Sequence, residues 1–203
     1  MKLYKLTDAN AQTYNKTQWG EGITHEGTGE GELCGPGWIH AYTDPLLAVL
    51  LNPIHGDFKS PRLWEAEGEV GKEDLGLKVG CKKLTTLKEI PLPEITNNQR
   101  IRFAILCALE VYLDGAFINW ANDWLSGVDR SANAANAAAY AANAAVNAAA
   151  SAAANAAASA AAYAANAAAS AASAAASAAN AANAAAYAAA INFVEILERA
   201  MKE

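Results

Sequence analysis

The chain predicts an α+β head domain followed by a long, single, Ala-rich α-helix, and three observations lead there. Of residues 131–190, forty-two are alanine, the rest are Asn, Ser, Tyr and one Val, and none is charged, Gly or Pro. Alanine is the strongest helix former, and no residue of the tract breaks a helix. The larger side chains Asn133, Asn136, Tyr140, Asn143, Asn147, Ser151, Asn155, Ser159, Tyr163, Asn166, Ser170, Ser173, Ser177, Asn180, Asn183 and Tyr187 advance by threes and fours. Their fifteen steps over 54 residues give 3.6 per step, the α-helical period, so they form one straight stripe. Ahead of the tract, short strand patterns mix with capped helices. The domains read as a head over 1–113, a helical neck over 114–128 and the alanine-rich helix over 129–203.

In order, "KLYKLT" (2–7) reads as a strand, and "DANAQTYNKTQWGEG" as a turn leading to another. "HEGTGEGELCGPG" is glycine-rich and reads as a loop. "WIHAY" is an apolar strand, and "TDPLLAVLLN" a short helix that Thr43 or Asp44 caps, with Pro45 in the first turn, where a missing N–H costs nothing. "PRLWEAEGEV" alternates Leu63, Glu65, Glu67 and Glu69 with Trp64, Ala66, Gly68 and Val70, a half-buried strand. "GLKVGCKKLTTLKEI" continues as strand and turn until the prolines of "IPLPE". Thr96 and Gln99 then form a capping box. From Ile101 to Leu113 nearly every helical face is apolar, which predicts a buried helix. "DGAFINWANDWLSG" is a second amphipathic piece that Gly127 ends, and Asp129 or Ser131 caps the alanine-rich helix.

As one helix, the tail would be a rod on the order of 108 Å long with bare methyl faces and no charge. No turn residue offers a hairpin inside 131–190, so the sequence predicts that the alanine faces pack on other copies of the chain. The protein reads as a structural or interaction protein, a homo-oligomer that assembles into a bundle or filament and displays its head. The assembly stripe of Asn136, Tyr140, Asn143, Asn147, Ser151, Asn155, Ser159, Tyr163, Asn166, Ser170 and Tyr187 faces solvent or a channel. Low-complexity filler is one alternative. Another is an ice-binding helix: the tract resembles the alanine-rich antifreeze helices of fish, but lacks their threonines and eleven-residue spacing.

The 53% hydrophobic share is inflated by alanine, and the chain carries a net charge of −6. Its front 130 residues are mildly acidic, which argues against nucleic-acid binding. Asn or Ser at every turn, with little Leu, Ile, Val or Phe, argues against a membrane span. Cys34, Cys81 and Cys107 are widely spaced and form no C-x-x-C. "MKLYKLTDANAQ" is too polar for a signal peptide, so the expectation is a cytoplasmic protein or part of a particle released by lysis.

Catalytic patterns are missing. His25 and His55 lie in loop contexts where a solvated histidine is usual, and His40 lies in an apolar strand where a core histidine is usual. Glu26, Glu30 and Glu32 are close together in a loop, and "GTGEGELCGPG" lacks the Lys-Ser/Thr of a P-loop. The reading assigns no catalytic residue, no metal and no cofactor, and leans away from an enzyme.

The run "ELCGPGWIHAYTDPLLAVL", with "WGEG" before it and "LWEAEGEV" and "KVGCKKL" after it, resembles a small uncharacterised domain of phage and bacterial proteins. Its pattern is a tryptophan, a glycine-rich turn, C-x-x-G-[LFW]-H, and an E-x-E-G strand, and its members often carry alanine-rich tails. "GWIHAYTD" is also similar to a segment of small ADP-ribosyltransferase-like domains. That similarity implies a nucleotide-type ligand site in which His40 and Tyr42 line a cleft, with Tyr4 or Lys5 on the facing strand. On this alternative the tail is an oligomerising stalk.

Overall fold

The computed structural model describes residues 1–148, 151–170 and 173–202. The fold is α+β and divides into two compact units, Met1–Glu94 and Ile95–Glu203.

The first unit contains β1 (Lys2–Thr7), β2 (Gln12–Thr13), β3 (Thr17–Gln18), β4 (Thr24–Glu26), β5 (Ile39–Ala41), α1 (Pro45–His55), β6 (Arg62–Asp74) and β7 (Lys78–Ile90). Its frame is the long β6–β7 hairpin. Leu75 and Gly76 at the turn both take positive φ, 50° and 79°, the twist that joins two antiparallel strands tightly. β1 pairs with β6 on the edge away from β7, while β5 and β4 pair with β7. The N–H of Tyr4 donates to the carbonyl of Tyr42 at 2.8 Å, and Tyr42 returns the bond at 2.9 Å. These two bonds close β1, β6, β7 and β5 into a ring. Leu3, Trp19, Ala41, Ala66, Val79, Cys81 and Leu84 form its core. As the sequence suggests, Asp44 caps α1 by accepting from the N–H of Leu46 at 2.8 Å, with Pro45 at the first helical position. α1 buries Leu47, Leu50 and Leu51 and packs against β1. Each such leucine contributes about 1.5–3 kcal/mol of transfer free energy.

The second unit contains α2 (Asn97–Leu109), α3 (Gly115–Ser126), α4 (Ala132–Ala148), α5 (Ala152–Ala169), α6 (Ala174–Ala188) and α7 (Phe193–Met201). Two expectations are corrected here. The helix assigned to the head, α2, belongs to this unit, so the boundary falls after Glu94 rather than at 113. The single helix expected over 129–203 is four helices among the described residues.

The breaks at the two ends of α5 use the stripe's own residues, whereas the break before α7 lies beyond the stripe. Ser151 is extended (φ −135°, ψ 157°) and accepts from the N–H of Ala154 at 3.3 Å, capping α5. Ser170 ends α5 in extended backbone (φ −144°, ψ 114°), and Asn192 caps α7. The stretches 149–151 and 170–173 can bridge at most roughly 14 Å. That is well short of α4–α6, which at 15–18 residues are on the order of 25 Å long. Because α5 packs along both α4 and α6, each pair is an antiparallel hairpin.

The chain thereby covers much of the methyl surface of α5 and α6, which the sequence pattern assigns to other copies, while Ala137, Ala141 and Ala144 of α4 stay exposed. Ala160, Ala161, Ala164, Ala165 and Ala167 of α5 are fully buried, as are Ala178, Ala181, Ala182 and Ala185 of α6. The large side chains that alanine helices lack come from α2, which buries Ile101, Phe103, Ile105 and Leu106 and packs against α5, α6 and α7. A helix apolar on every side needs partners all round, and the methyl faces supply them. Phe103 meets Phe193 of α7 with ring centroids 6.5 Å apart.

Asn136, Tyr140, Asn143, Asn155, Tyr163 and Tyr187 of the stripe are exposed and Ser159 and Asn166 half-buried, so the stripe lies outward. Ser177 is buried, and the side chain of Asn147 lies outside the described residues. The capping box of Thr96 and Gln99 and the left-handed Gly127 after α3 (φ 82°) are as the sequence suggests. Among the described residues no helix is long and apolar enough to cross a membrane.

Candidate functional site

Strand alternation puts Leu3 and Lys5 on one face of β1 and Lys2 and Tyr4 on the other. Leu3 fills the core, and Lys5 follows it inward to only 6% exposure. The Lys5 ammonium donates to the carbonyl of His40 at 2.7 Å and lies 5.0 Å from the centre of the Trp19 ring. Among the described residues it makes no ion pair. A buried ammonium with one carbonyl and one ring face for company is under-compensated.

Lys5 lines a cleft of about 120 Å³ with His40, Tyr42, His55 and Lys78, joined by Tyr14 and Phe58. β5 brings His40, the residue just after β5 is Tyr42, the last residue of α1 is His55, and the first of β7 is Lys78. Lys78 is 8% exposed, and its ammonium sits 3.5 Å from Asp74 and 3.4 Å from the thiol of Cys34. The phenol of Tyr42 and Nδ1 of His55 are 3.1 Å apart, with the rings stacked.

Burial sets the protonation states. It pulls the Lys5 amine down to about 8 and lifts the Tyr42 phenol above its ordinary value. Burial first, then the charge of Lys78, takes His55 down to about 3, and burial also lowers His40. At neutral pH both imidazoles are therefore neutral and Tyr42 keeps its proton. His40 donates from Nε2 to the carbonyl of Leu33, which leaves its Nδ1 an acceptor. A protonated phenol beside a neutral imidazole pairs most simply with its O–H donating to Nδ1 of His55, which leaves Nε2–H as a donor. The cleft thus offers two ammonium groups and the Nε2–H of His55, with Asp74 as the carboxylate paired to Lys78.

Of the residues proposed from sequence, Lys5, His40 and Tyr42 meet here. Tyr4 does not: it shares the outer face with Lys2, whose ammonium is 5.5 Å from its ring and 3.1 Å from Glu65. Backbone pairing to Tyr42 is its contribution. The sequence pattern singles out neither His55 nor Lys78 for the cleft. The context of His55 predicts a solvated loop residue, yet α1 extends through Pro53 and carries it back over Tyr42. The capped start of α1 is a signal for the helix, but only the fold shows where that helix ends. His25 also is not free: its Nε2 lies 2.8 Å from the carbonyl of Gln18 and its ring packs on Trp19. Glu26 and Glu32 pair with Lys83 and Lys72, so they form no carboxylate couple.

Comparison of the chain with protein-family models, with curated proteins and with solved structures finds no match.

Proposed function

We propose that the N-terminal unit is a binding module for a small anion, or for the phosphate or carboxylate end of a larger ligand, held by Lys5 and Lys78 with the Nε2–H of His55, in a cleft whose walls His40 and Tyr42 complete. The observation behind this reading is Lys5, an ammonium at 6% exposure that makes no ion pair among the described residues. An anion in the cleft supplies the missing counter-charge where the low local dielectric makes the attraction strong. A cleft of about 120 Å³ is well below the ~300–1,000 Å³ of sites that enclose a drug-sized ligand. It suits one anionic group, so a nucleotide-type ligand would place a phosphate inside and its base outside. The bundle or filament expected from the sequence would rest on the alanines that stay exposed, among them Ala137, Ala141 and Ala144 of α4, since α5 and α6 pack most of theirs within the chain.

The test is calorimetry of the intact protein with inorganic phosphate at constant ionic strength, with chloride as the control anion. Saturable binding that disappears in Lys5→Met is expected. No saturable heat, or equal binding by the variant, would remove the reading.

A further inference from the structure

The cleft of the N-terminal unit has an inner and an outer end. Lys5, Tyr42 and Lys78 are 6–8% exposed, whereas Tyr14, which lines the same cleft, is 85% exposed. The half-buried Phe58 and the exposed Gly56 line it too. The charged groups therefore lie inside, and the outer wall carries two aromatic rings. Backbone bonds place both. Tyr14 opens the turn Tyr14–Lys16 between β2 and β3, in which Asn15 and Lys16 take left-handed backbone (φ 57° each). The carbonyl of Tyr14 accepts from the hydroxyl of Thr17 at 2.8 Å, and the hydroxyl of Thr13 accepts from the indole N–H of Trp19 at 2.9 Å. Trp19 is also the ring beside the Lys5 ammonium, so one residue ties this hairpin to the charged end. Phe58 follows Asp57, another left-handed residue (φ 45°). Its N–H donates to Oδ1 of Asn52 and its carbonyl accepts from Nδ2, each at 3.0 Å. Its ring lies so close to Gly56 that a Cβ there would come within 2.7 Å of it. Left-handed backbone at ordinary residues is sparsely populated and persists where the surroundings hold it. The phenol and ring of Tyr14, by contrast, make no hydrogen bond or ring contact among the described residues.

We propose that the ligand of this cleft is an aryl phosphate, whose phosphate enters the cleft and whose aromatic ring lies directly outside it against Tyr14 and Phe58. The inference rests on the anion reading above and adds the other half of the ligand. Three donor residues, Lys5, Lys78 and His55, match the three terminal oxygens of a phosphate monoester. A cleft of about 120 Å³ takes the phosphate and little else, so the group it is attached to meets the outer wall at once. Rings pair with rings in offset or edge-on geometry and gain attraction beyond the area they cover. A saturated ring has similar bulk without that attraction. Sugar hydroxyls would need partners, and the backbone of Phe58 and the hydroxyl of Thr13 are already bound.

The intact protein is titrated with phenyl phosphate, cyclohexyl phosphate and inorganic phosphate at constant pH and ionic strength, by calorimetry and by NMR of the aromatic side chains. Phenyl phosphate is expected to bind roughly two- to tenfold tighter than cyclohexyl phosphate, the range that one aromatic pair contributes. Its ring current should shift the ring signals of Tyr14 and Phe58, which the cyclohexyl ester should leave nearly in place. In Tyr14→Leu the preference for the phenyl ester should shrink towards parity. At 85% exposure that change keeps the fold, which thermal melting checks. Equal affinity of the two esters, with inorganic phosphate still bound, overturns the aryl assignment and leaves the anion reading standing. Absence of binding by all three overturns both. A preference that survives intact in Tyr14→Leu, or phenyl phosphate bound equally well by Lys5→Met, puts the ring elsewhere and overturns the proposal.

Discussion

Replacing Lys5 with methionine should stabilise the N-terminal unit, which is unusual for a change at a buried position. Burial takes the Lys5 amine from its ordinary 10.5 to about 8. At about 1.36 kcal/mol per tenfold change in proton affinity, the charged amine costs the fold on the order of 3 kcal/mol. Methionine has a similar length and no charge, but it leaves the carbonyl of His40 without its donor, a loss of about 1 kcal/mol. The net gain at pH 7 is then about 2 kcal/mol. Its pH dependence is a sharper signature. Between pH 8 and 10.5 the unfolded chain keeps a proton on this lysine that the folded chain has released, so wild-type stability rises with pH across that window. The methionine variant lacks that slope, so its advantage is full below pH 8 and fades towards pH 10.5. Urea unfolding at pH 7 and pH 10.5, read by amide exchange in β6 and β7, measures both. Inorganic phosphate, which binds the wild type alone, should narrow the gap at pH 7. A variant that is less stable at pH 7, or a difference unchanged between the two pH values, would refute the reasoning.

His55 works in the opposite pH direction from ordinary solvated histidine. Its imidazole falls to about 3, so as pH drops below 6.5 the unfolded chain gains a proton that the folded chain refuses, and stability declines. His55→Gln should flatten that acid limb by about 2 kcal/mol at pH 4, allowing for partial exposure, as acid melting curves will report. Ser151→Ala removes the cap of α5 and should cost about 1 kcal/mol, while Ser151→Asp preserves most of it; thermal melting of the C-terminal unit distinguishes the two. Ala164→Leu, at a fully buried position, should cost about 1–3 kcal/mol by overpacking, whereas Tyr163→Ala next to it should change stability by about 0.5 kcal/mol or less.

Local chemistry is legible wherever one residue decides a local geometry. Asp44, the Thr96–Gln99 box and Gly127 each satisfy orphaned helix ends, and the alternation along β6 marks a strand by itself. The period of the alanine tract also carries over, since its stripe faces outward on α4 and α5. The breaks do not show, because serine fits both uses: a small polar residue on an exposed face, or a cap that leaves the helix. Ser151 and Ser170 keep the phase of the stripe while stopping the helix, so the pattern alone cannot separate the two. The domain boundary is hidden for a related reason. The apolar girdle of α2 announces burial, but alanine faces do not look like a partner until they are folded over it. In the cleft, Lys5, His40 and Tyr42 come from strands readable in sequence. His55 and Lys78 arrive from a helix end and a hairpin start, places that only tertiary packing brings alongside β1.

The outward stripe makes the tract sensitive to changes in its length, and only in certain steps. One residue lost early in α5 turns everything after it by ~100°. Tyr163 would then occupy the buried place of Ala162, and Asn166 that of Ala165. Eighteen residues make five whole turns, so a gain or loss of that size leaves every later side chain on its original bearing. Seven or eleven residues miss by only about 20°. Insertions and deletions in so repetitive a tract are therefore sorted by their length. Shifts by whole turns lengthen or shorten a hairpin arm, and single-residue shifts drive phenol and amide groups into the methyl packing.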